Sequence, residues 1–122
     1  MTMEITEINA RVKGYMDAIR EAVDASGKMR PVDNVSLDIL ESHLKKWLMA
    51  EAEVERYGIL LESDRGNMSK NPAIDVATAA LRQALGIMQD YGLTAMSLKK
   101  LKRGEDVEQE DSPLTEFFRE NG

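Results

Sequence analysis

Hydrophobic residues recur at intervals of three and four along most of this chain, which is the spacing of a helix face. Over residues 3–25 they predict an amphipathic leading helix. This stripe consists of Ile5, Ile8, Val12, Met16, Ile19 and Val23. It spans only about three heptads, so it could be a coiled-coil seam or an edge that docks on a partner. The segment "ASGKMRPVDN" then interrupts the pattern with Gly27 and Pro31.

A second apolar stripe predicts a helix from Leu37 to about Tyr57. Ser36 is the expected N-cap, because its hydroxyl can accept a hydrogen bond from a free backbone N–H of the first turn. Gly58 is expected to end the helix in a left-handed conformation. The predicted buried face consists of Leu37, Leu40, Leu44, Trp47, Leu48 and Val54.

A short apolar run at residues 59–61 is followed by the turn sequence "DRGN". This pattern favours a short β-hairpin near residues 59–69 over an irregular loop. A third helix is then predicted between Asn71 as its cap, Pro72 at its first position and Gly92 at its end.

The third helix carries two adjacent stripes. The larger side chains are those of Ile74, Ala77, Leu81, Leu85 and Met88, and the small ones are those of Ala73, Ala77, Ala80 and Ala84. Small side chains allow another helix to come close. The alanine stripe therefore predicts a close helix–helix contact, within the subunit or between subunits.

Beyond Gly92, Thr94 can cap a short basic helix over residues 95–103. The expected fold is all-α, with an antiparallel helical hairpin over residues 36–91. After Pro113, a last short helix would place three apolar side chains on one side: Leu114, Phe117 and Phe118. We interpret these either as a docking peptide or as residues that fold back on the protein's own core.

The net charge of −6 is confined to one end of the chain. Residues 104–122 carry seven acids and one base, which leaves 15 of each sign elsewhere. Block charge of this kind usually marks a mobile, interacting segment. We therefore expect a neutral helical body over residues 1–103, which carries the oligomerisation surface, and an acidic tail.

Composition argues against an enzyme. The chain has no cysteine and a single histidine, His43, which excludes thiolate zinc sites, cysteine nucleophiles and histidine pairs. Phosphate-binding loops and nucleophile elbows are absent from the sequence. We expect no catalytic residue, no metal and no cofactor.

Without an apolar window for a membrane span or a signal peptide, we expect a cytoplasmic protein.

Two basic clusters are candidate contacts for DNA phosphates. The candidates are Lys99, Lys100, Lys102 and Arg103 in "KKLKR", and Lys28 and Arg30 in "GKMRP". The alternative interpretation of "KKLKR" is charge that complements the dipole at a helix C-terminus. Lys45 and Lys46 are interpreted as solvated partners of nearby glutamates.

Three segments follow one another in a specific order: "VERYGILL", then "DRGNMSKNPA", then "DYGLTAMSLKKL". This order, together with a tail of the type "SPLTEFF", resembles the tailed-phage terminase small subunits over residues 36–118. The matching positions are Asn71, Pro72, Ala73, Gly92, Leu93, Thr94, Ser97 and Leu101. The sequence departs from the family pattern at Ala95, where proline is usual, and at Leu98, where arginine is frequent.

The resemblance implies a non-enzymatic factor for DNA packaging. Such subunits assemble into rings, engage double-stranded viral DNA and hand it to the large subunit, which carries the ATPase and nuclease. The resemblance thus implies a ring of more than four copies, in which the alanine stripe serves as an interface. The sequence leaves open whether the tail contacts the large subunit.

Two other interpretations stay open on the residues alone. One is a small helix-turn-helix regulator that binds a palindromic DNA site as a dimer, with "AMSLKKLKR" as its recognition helix. The other is a protein-interaction module without DNA binding. The sequence also leaves open whether the first helix packs on its own subunit or on a neighbour. If that helix contacts DNA, the relevant cations are Arg11, Lys13 and Arg20.

Overall fold

Three helices and a two-stranded antiparallel sheet make up the part of the chain that the computed structural model describes, residues 3–25, 27 and 29–94. In chain order these elements are α1 (Ile5–Ala25), α2 (Asp33–Tyr57), β1 (Leu60–Glu62), β2 (Met68–Lys70) and α3 (Ala73–Asp90). The predicted fold class, mainly helical with a short hairpin, is confirmed. The predicted basic helix over 95–103 and the acidic tail over 104–122 lie outside the described residues.

α1 is amphipathic and packs on its own chain. Of the six residues in its predicted apolar stripe, all but Ile5 are buried. An ion pair of 3.9 Å joins Glu4 to Arg56, and one of 3.0 Å joins Arg20 to Asp38. The start of α1 therefore lies beside the end of α2, and the two helices are antiparallel. The apolar face of α1 is covered within the subunit.

α2 begins at Asp33, four residues before the predicted start at Leu37. The prediction that Ser36 caps this helix is therefore wrong. The chain already turns at Pro31, whose carbonyl accepts a hydrogen bond from the backbone N–H of Asn34 at 3.2 Å. The sequence pattern marks this proline as a break, but its fixed φ also suits a helix entrance.

A β-hairpin, formed by β1, β2 and the turn between them, follows Gly58. This glycine ends α2 with a positive φ, as predicted, although its ψ is extended: φ is 88° and ψ is 174°. Its positive φ nevertheless favours glycine. The turn is closed by the backbone N–H of Ser63, which donates to the carbonyl of Asn67 at 2.8 Å. The strand register is Leu60↔Lys70, Leu61↔Ser69 and Glu62↔Met68.

Asn71 joins the hairpin to the start of α3. Its Oδ1 accepts the backbone N–H of Ala73 at 3.0 Å, which confirms the predicted capping contact. Its Nδ2 donates to the carbonyl of Gly58 at 2.9 Å. Pro72 between them already has helical φ and ψ. One buried amide thus fixes both the entry into α3 and the exit from α2.

The core lies between the three helices, with α3 packed along α2. Its buried members are Ile8, Val12, Met16, Ile19, Val23, Leu37, Leu40, Leu44, Leu48, Ala52, Ala84, Met88 and Leu93. Trp47 and Val54, which the sequence places on the buried face of α2, are only half-buried. α2 is the central helix, because both of the others pack against it.

Candidate functional site

Asp33, the first residue of α2, is a buried carboxylate surrounded by donors. Its Oδ2 accepts the backbone N–H of Arg30 at 2.7 Å. Its Oδ1 accepts a hydrogen bond from Nη2 of Arg30 at 3.1 Å and from the hydroxyl of Tyr91 at 2.8 Å. A buried carboxylate is costly unless such bonds satisfy it. This cluster of three side chains therefore fastens the α1–α2 loop and the end of α3 to the start of α2.

The cluster also sets the protonation states of its members. The pKa of Asp33 is lowered from its ordinary 3.8 to about 2, first because the Arg30 guanidinium donates to the carboxylate. The Arg30 backbone N–H and the Tyr91 hydroxyl add to this effect. Burial is the main cause that raises the pKa of Tyr91 above 10.0. At neutral pH the cluster is thus an ion pair with a neutral phenol as its third member.

α3 ends in a turn around Gly92, as the sequence predicts. The backbone N–H of Leu93 donates to the carbonyl of Met88, and that of Gly92 donates to the carbonyl of Gln89, both at 2.9 Å. With φ 72° at Gly92, this is the Schellman arrangement. The buried side chains of Leu93 and Met88 complete it. The chain thus leaves α3 at the end of the bundle that holds the α1–α2 loop.

Of the predicted phosphate contacts, Arg30 lies among the described residues. The others lie outside them: Lys28, Lys99, Lys100, Lys102 and Arg103. The Arg30 side chain is 72% exposed, although its guanidinium is held by Asp33. Asp33 therefore orients this cation and offsets part of its charge. What the structure brings together is the loop that carries "GKMRP" and the exit of α3 toward "KKLKR".

The alternative DNA-contacting cations on α1 are each paired with an acid. The pairs are Arg11 with Glu7 (3.4 Å), Lys13 with Asp17 (3.1 Å), and Arg20 with Asp38 (3.0 Å). Each of these charges is offset within the chain, as is that of Arg30, so ion pairing does not distinguish α1 from the α1–α2 loop as a DNA-contacting surface.

The alanine stripe of α3 lies mainly inside the subunit. Ala77, Ala80 and Ala84 are 4%, 5% and 0% exposed in the single chain, whereas Ala73 is half-buried. Small side chains at these positions let α3 approach α2 closely. Most of the stripe is therefore already covered, and a second subunit would need other residues for most of its contact.

The contact between Asp33 and Tyr91 was not predicted from the sequence. These residues are 58 positions apart, so only the antiparallel packing of α2 and α3 brings them together. The sequence around each of the two residues does indicate its local structure. A carboxylate just after Pro31 is typical of a first helical turn, and Tyr91 belongs to the "DYGLT" segment. Neither signal could reveal the partner.

The described part of the chain offers neither a metal site nor a membrane span. Among residues 3–25, 27 and 29–94, no group of three or more His, Cys, Asp or Glu side chains could hold a metal ion. No helix within these residues has both the length and the apolar character needed to cross a membrane.

Comparison with known proteins identifies a family. The sequence profile of the family described as "Phage terminase, small subunit" matches residues 15–108. This range runs from the middle of α1 through α3 and includes "KKLKR". No curated protein and no solved structure matches the chain. Because the family match covers well over half of the sequence, the chain belongs to the phage terminase small subunit family.

Proposed function

We propose that this chain binds double-stranded viral DNA as a non-catalytic ring and recruits or regulates the large ATPase and nuclease subunit in the host cytoplasm. Family membership supports the general role within this proposal, that of a small subunit of a phage DNA-packaging terminase. Such subunits are generally non-catalytic. The observation that supports DNA binding is that the loop carrying Arg30 and the end of α3, from which the chain continues toward "KKLKR", lie at the same end of the bundle.

The Asp33 cluster sets the point from which the second basic segment continues. The bond between Tyr91 and Asp33 holds the end of α3 beside the α1–α2 loop. An extended chain covers at most about 3.6 Å per residue. The five residues from Ala95 to Lys99 therefore limit how far "KKLKR" can lie from the loop that carries Arg30. Both basic segments can reach one DNA duplex.

A ring would multiply these few contacts. Outside the acidic tail the chain has no net charge, so one copy offers only a small basic surface to DNA. Each phosphate contact releases counterions, and such contributions add up over the copies of a symmetric assembly. We therefore propose a ring of more than four copies. The tail residues Leu114, Phe117 and Phe118 are the proposed contacts to the large subunit.

The test is DNA binding by the full chain, measured by fluorescence anisotropy with a labelled duplex over a series of salt concentrations. We expect Lys99→Ala with Lys100→Ala to weaken binding at every salt concentration. The slope of log K against log salt is negative, and its magnitude should decrease by about 1 for each phosphate that the variant no longer neutralises. The control is Lys45→Ala with Lys46→Ala, which removes the same charge from exposed positions of α2 and should leave the slope unchanged.

Other outcomes would favour other functions. Equal loss of binding in both double variants would show a general charge effect and contradict the assigned contact. No binding at any salt concentration would indicate a protein-interaction module. A dimer specific for a palindromic site would indicate a helix-turn-helix regulator. Arg30 is left intact in this test, because its removal would leave the buried Asp33 without two of its donors.

A further inference from the structure

Among the residues that the structure describes, no further strand pairs with either edge of the β-hairpin. The backbone N–H of Asn71 donates to the carbonyl of Ile59 at 2.7 Å, and the N–H of Ser63 donates to that of Asn67 at 2.8 Å. In an antiparallel ladder the hydrogen-bonded pairs alternate with unbonded ones. The unbonded pairs are therefore Leu60↔Lys70 and Glu62↔Met68. The backbone groups of these four residues point away from the partner strand, two on each edge.

The side chains at these edge positions are exposed as well. Leu60 is 55% exposed and Met68 is 57% exposed. They lie on the same face of the hairpin as Glu62 and Lys70, because alternate residues of a strand share a face. A free, apolar edge is a template for another strand, and an isolated two-stranded sheet is only marginally stable. The hairpin therefore has the features of an incomplete sheet.

The hairpin is held rigidly enough to serve as an interface. At its base, Asn71 bonds to the carbonyl of Gly58. At its tip, the hydroxyl of Ser63 accepts the backbone N–H of Asn67 at 3.1 Å, and Gly66 adopts φ 81°. A strand that is already ordered loses little conformational entropy when it pairs. Pairing of this ordered hairpin with a second strand therefore costs less conformational entropy than pairing of a loose loop would.

We propose that β1 of one copy pairs with β2 of the next copy, so that the hairpins of the assembly form a continuous antiparallel sheet. This inference rests on the proposed ring. Copies in the same orientation place β1 beside an antiparallel β2 of the neighbour. The contact then uses two different edges, as the interfaces of closed rings with more than two subunits require.

The charges of the two edges support a second copy of this chain as the partner. β1 carries Glu62 and β2 carries Lys70, so head-to-tail pairing in the register that sets Glu62 of one copy opposite Lys70 of the next brings opposite charges together. Pairing of β1 with a second β1 would instead bring two glutamates together. Lys70 also contacts Asp75 at 2.8 Å, but its side chain stays 56% exposed. The edges are thus complementary to each other and not to themselves.

The test is disulfide crosslinking of the full chain, which has no natural cysteine. Two single variants, Glu62→Cys and Lys70→Cys, are co-expressed so that they enter the same assemblies, and are then oxidised. In the proposed intersubunit register these two positions face each other, and neighbouring antiparallel strands place facing residues within the distance that a disulfide needs. We expect a covalent dimer from the co-expressed pair at a rate on the order of tenfold above that of the control pair, because residues held in contact have a high effective concentration.

The control pair is Glu53→Cys co-expressed with Lys46→Cys, which alters the same residue types at exposed positions of α2. The mass of the unmodified chain, measured by light scattering, separates two kinds of failure. An assembled chain whose hairpin variants crosslink no faster than the controls would overturn this inference alone. A monomeric chain would overturn the ring together with the inference. Efficient crosslinking of Glu62→Cys alone would show β1–β1 pairing and overturn the head-to-tail arrangement.

Discussion

At the scale of single residues, the Asp33 carboxylate contributes to stability through its charge. The donors around it favour the ionised form, so its pKa in the folded chain is about 2, against an ordinary 3.8. A carboxyl group whose pKa falls on folding stabilises the fold above its ordinary pKa. That contribution is lost as the pH falls through the folded value. The stabilisation from the Asp33 charge is therefore lost progressively between about pH 4 and about pH 2.

We predict that Asp33→Asn destabilises the chain most at neutral pH, because the variant lacks the charge that pairs with Arg30. The difference in free energy of unfolding between the wild type and the variant should be constant above about pH 4 and should shrink toward pH 2. Urea unfolding at a series of pH values and one protein concentration measures it.

The matched control for this prediction is Asp38→Asn on the exposed face of the same helix, where the carboxylate contacts Arg20. An exposed ion pair contributes little to stability, so this variant should stay close to the wild type. If Asp33→Asn behaved like Asp38→Asn, or if its effect were the same at pH 2 and pH 7, the structural role given to Asp33 would be wrong.

At the scale of secondary-structure elements, the sequence correctly predicted the features that depend on residues close together in the chain. The stripe from Ile8 to Val23 was sufficient for α1, because its period of three and four matches the buried face. Asn71 and Gly92 marked the two ends of α3, since a cap and a positive φ are properties of single residues. The turn at residues 64–67 predicted the hairpin for the same reason.

What the sequence missed or left open depends on packing between elements. The sequence could not locate the start of α2, because Asp33 is fixed there by Arg30 and by the distant Tyr91. Nor could it show that Ala77 and Ala84 pack inside the subunit, since a stripe of small residues fits a contact within or between chains equally well. The pattern of one sequence shows which face of a helix is buried, but not which element packs against that face.

Two glycines of the same helix region should respond in opposite ways to alanine. Gly92 has φ 72°, so Gly92→Ala should destabilise the chain by about 1–2 kcal/mol through backbone strain. Gly86 lies inside α3 with nothing within 4 Å of an added Cβ. Gly86→Ala should therefore stabilise it by about 0.5–1 kcal/mol. Urea unfolding of the two variants and the wild type measures both changes in the free energy of unfolding. A gain in stability from Gly92→Ala would contradict the described end of α3.

At the scale of the whole molecule, the two ends of the bundle differ in what they offer. One end holds the Asp33 cluster and the exit of α3 toward the basic segment. The other holds the β-hairpin with its free edges. α2 joins them, and its 25 residues span about 37 Å. In the proposed ring, DNA contacts and hairpin contacts therefore occupy separate levels, and each can be removed without the other.

The proposed ring is tested first by the absolute mass of the full chain, measured by light scattering on a sizing column at near-physiological salt. We predict a single species of more than four copies of the 13.7 kDa chain. Assembly is essential to the proposed function, because one neutral body offers too few cations to hold DNA alone. A clean dimer would favour the helix-turn-helix regulator, and a monomer of 13.7 kDa would contradict the proposed ring outright.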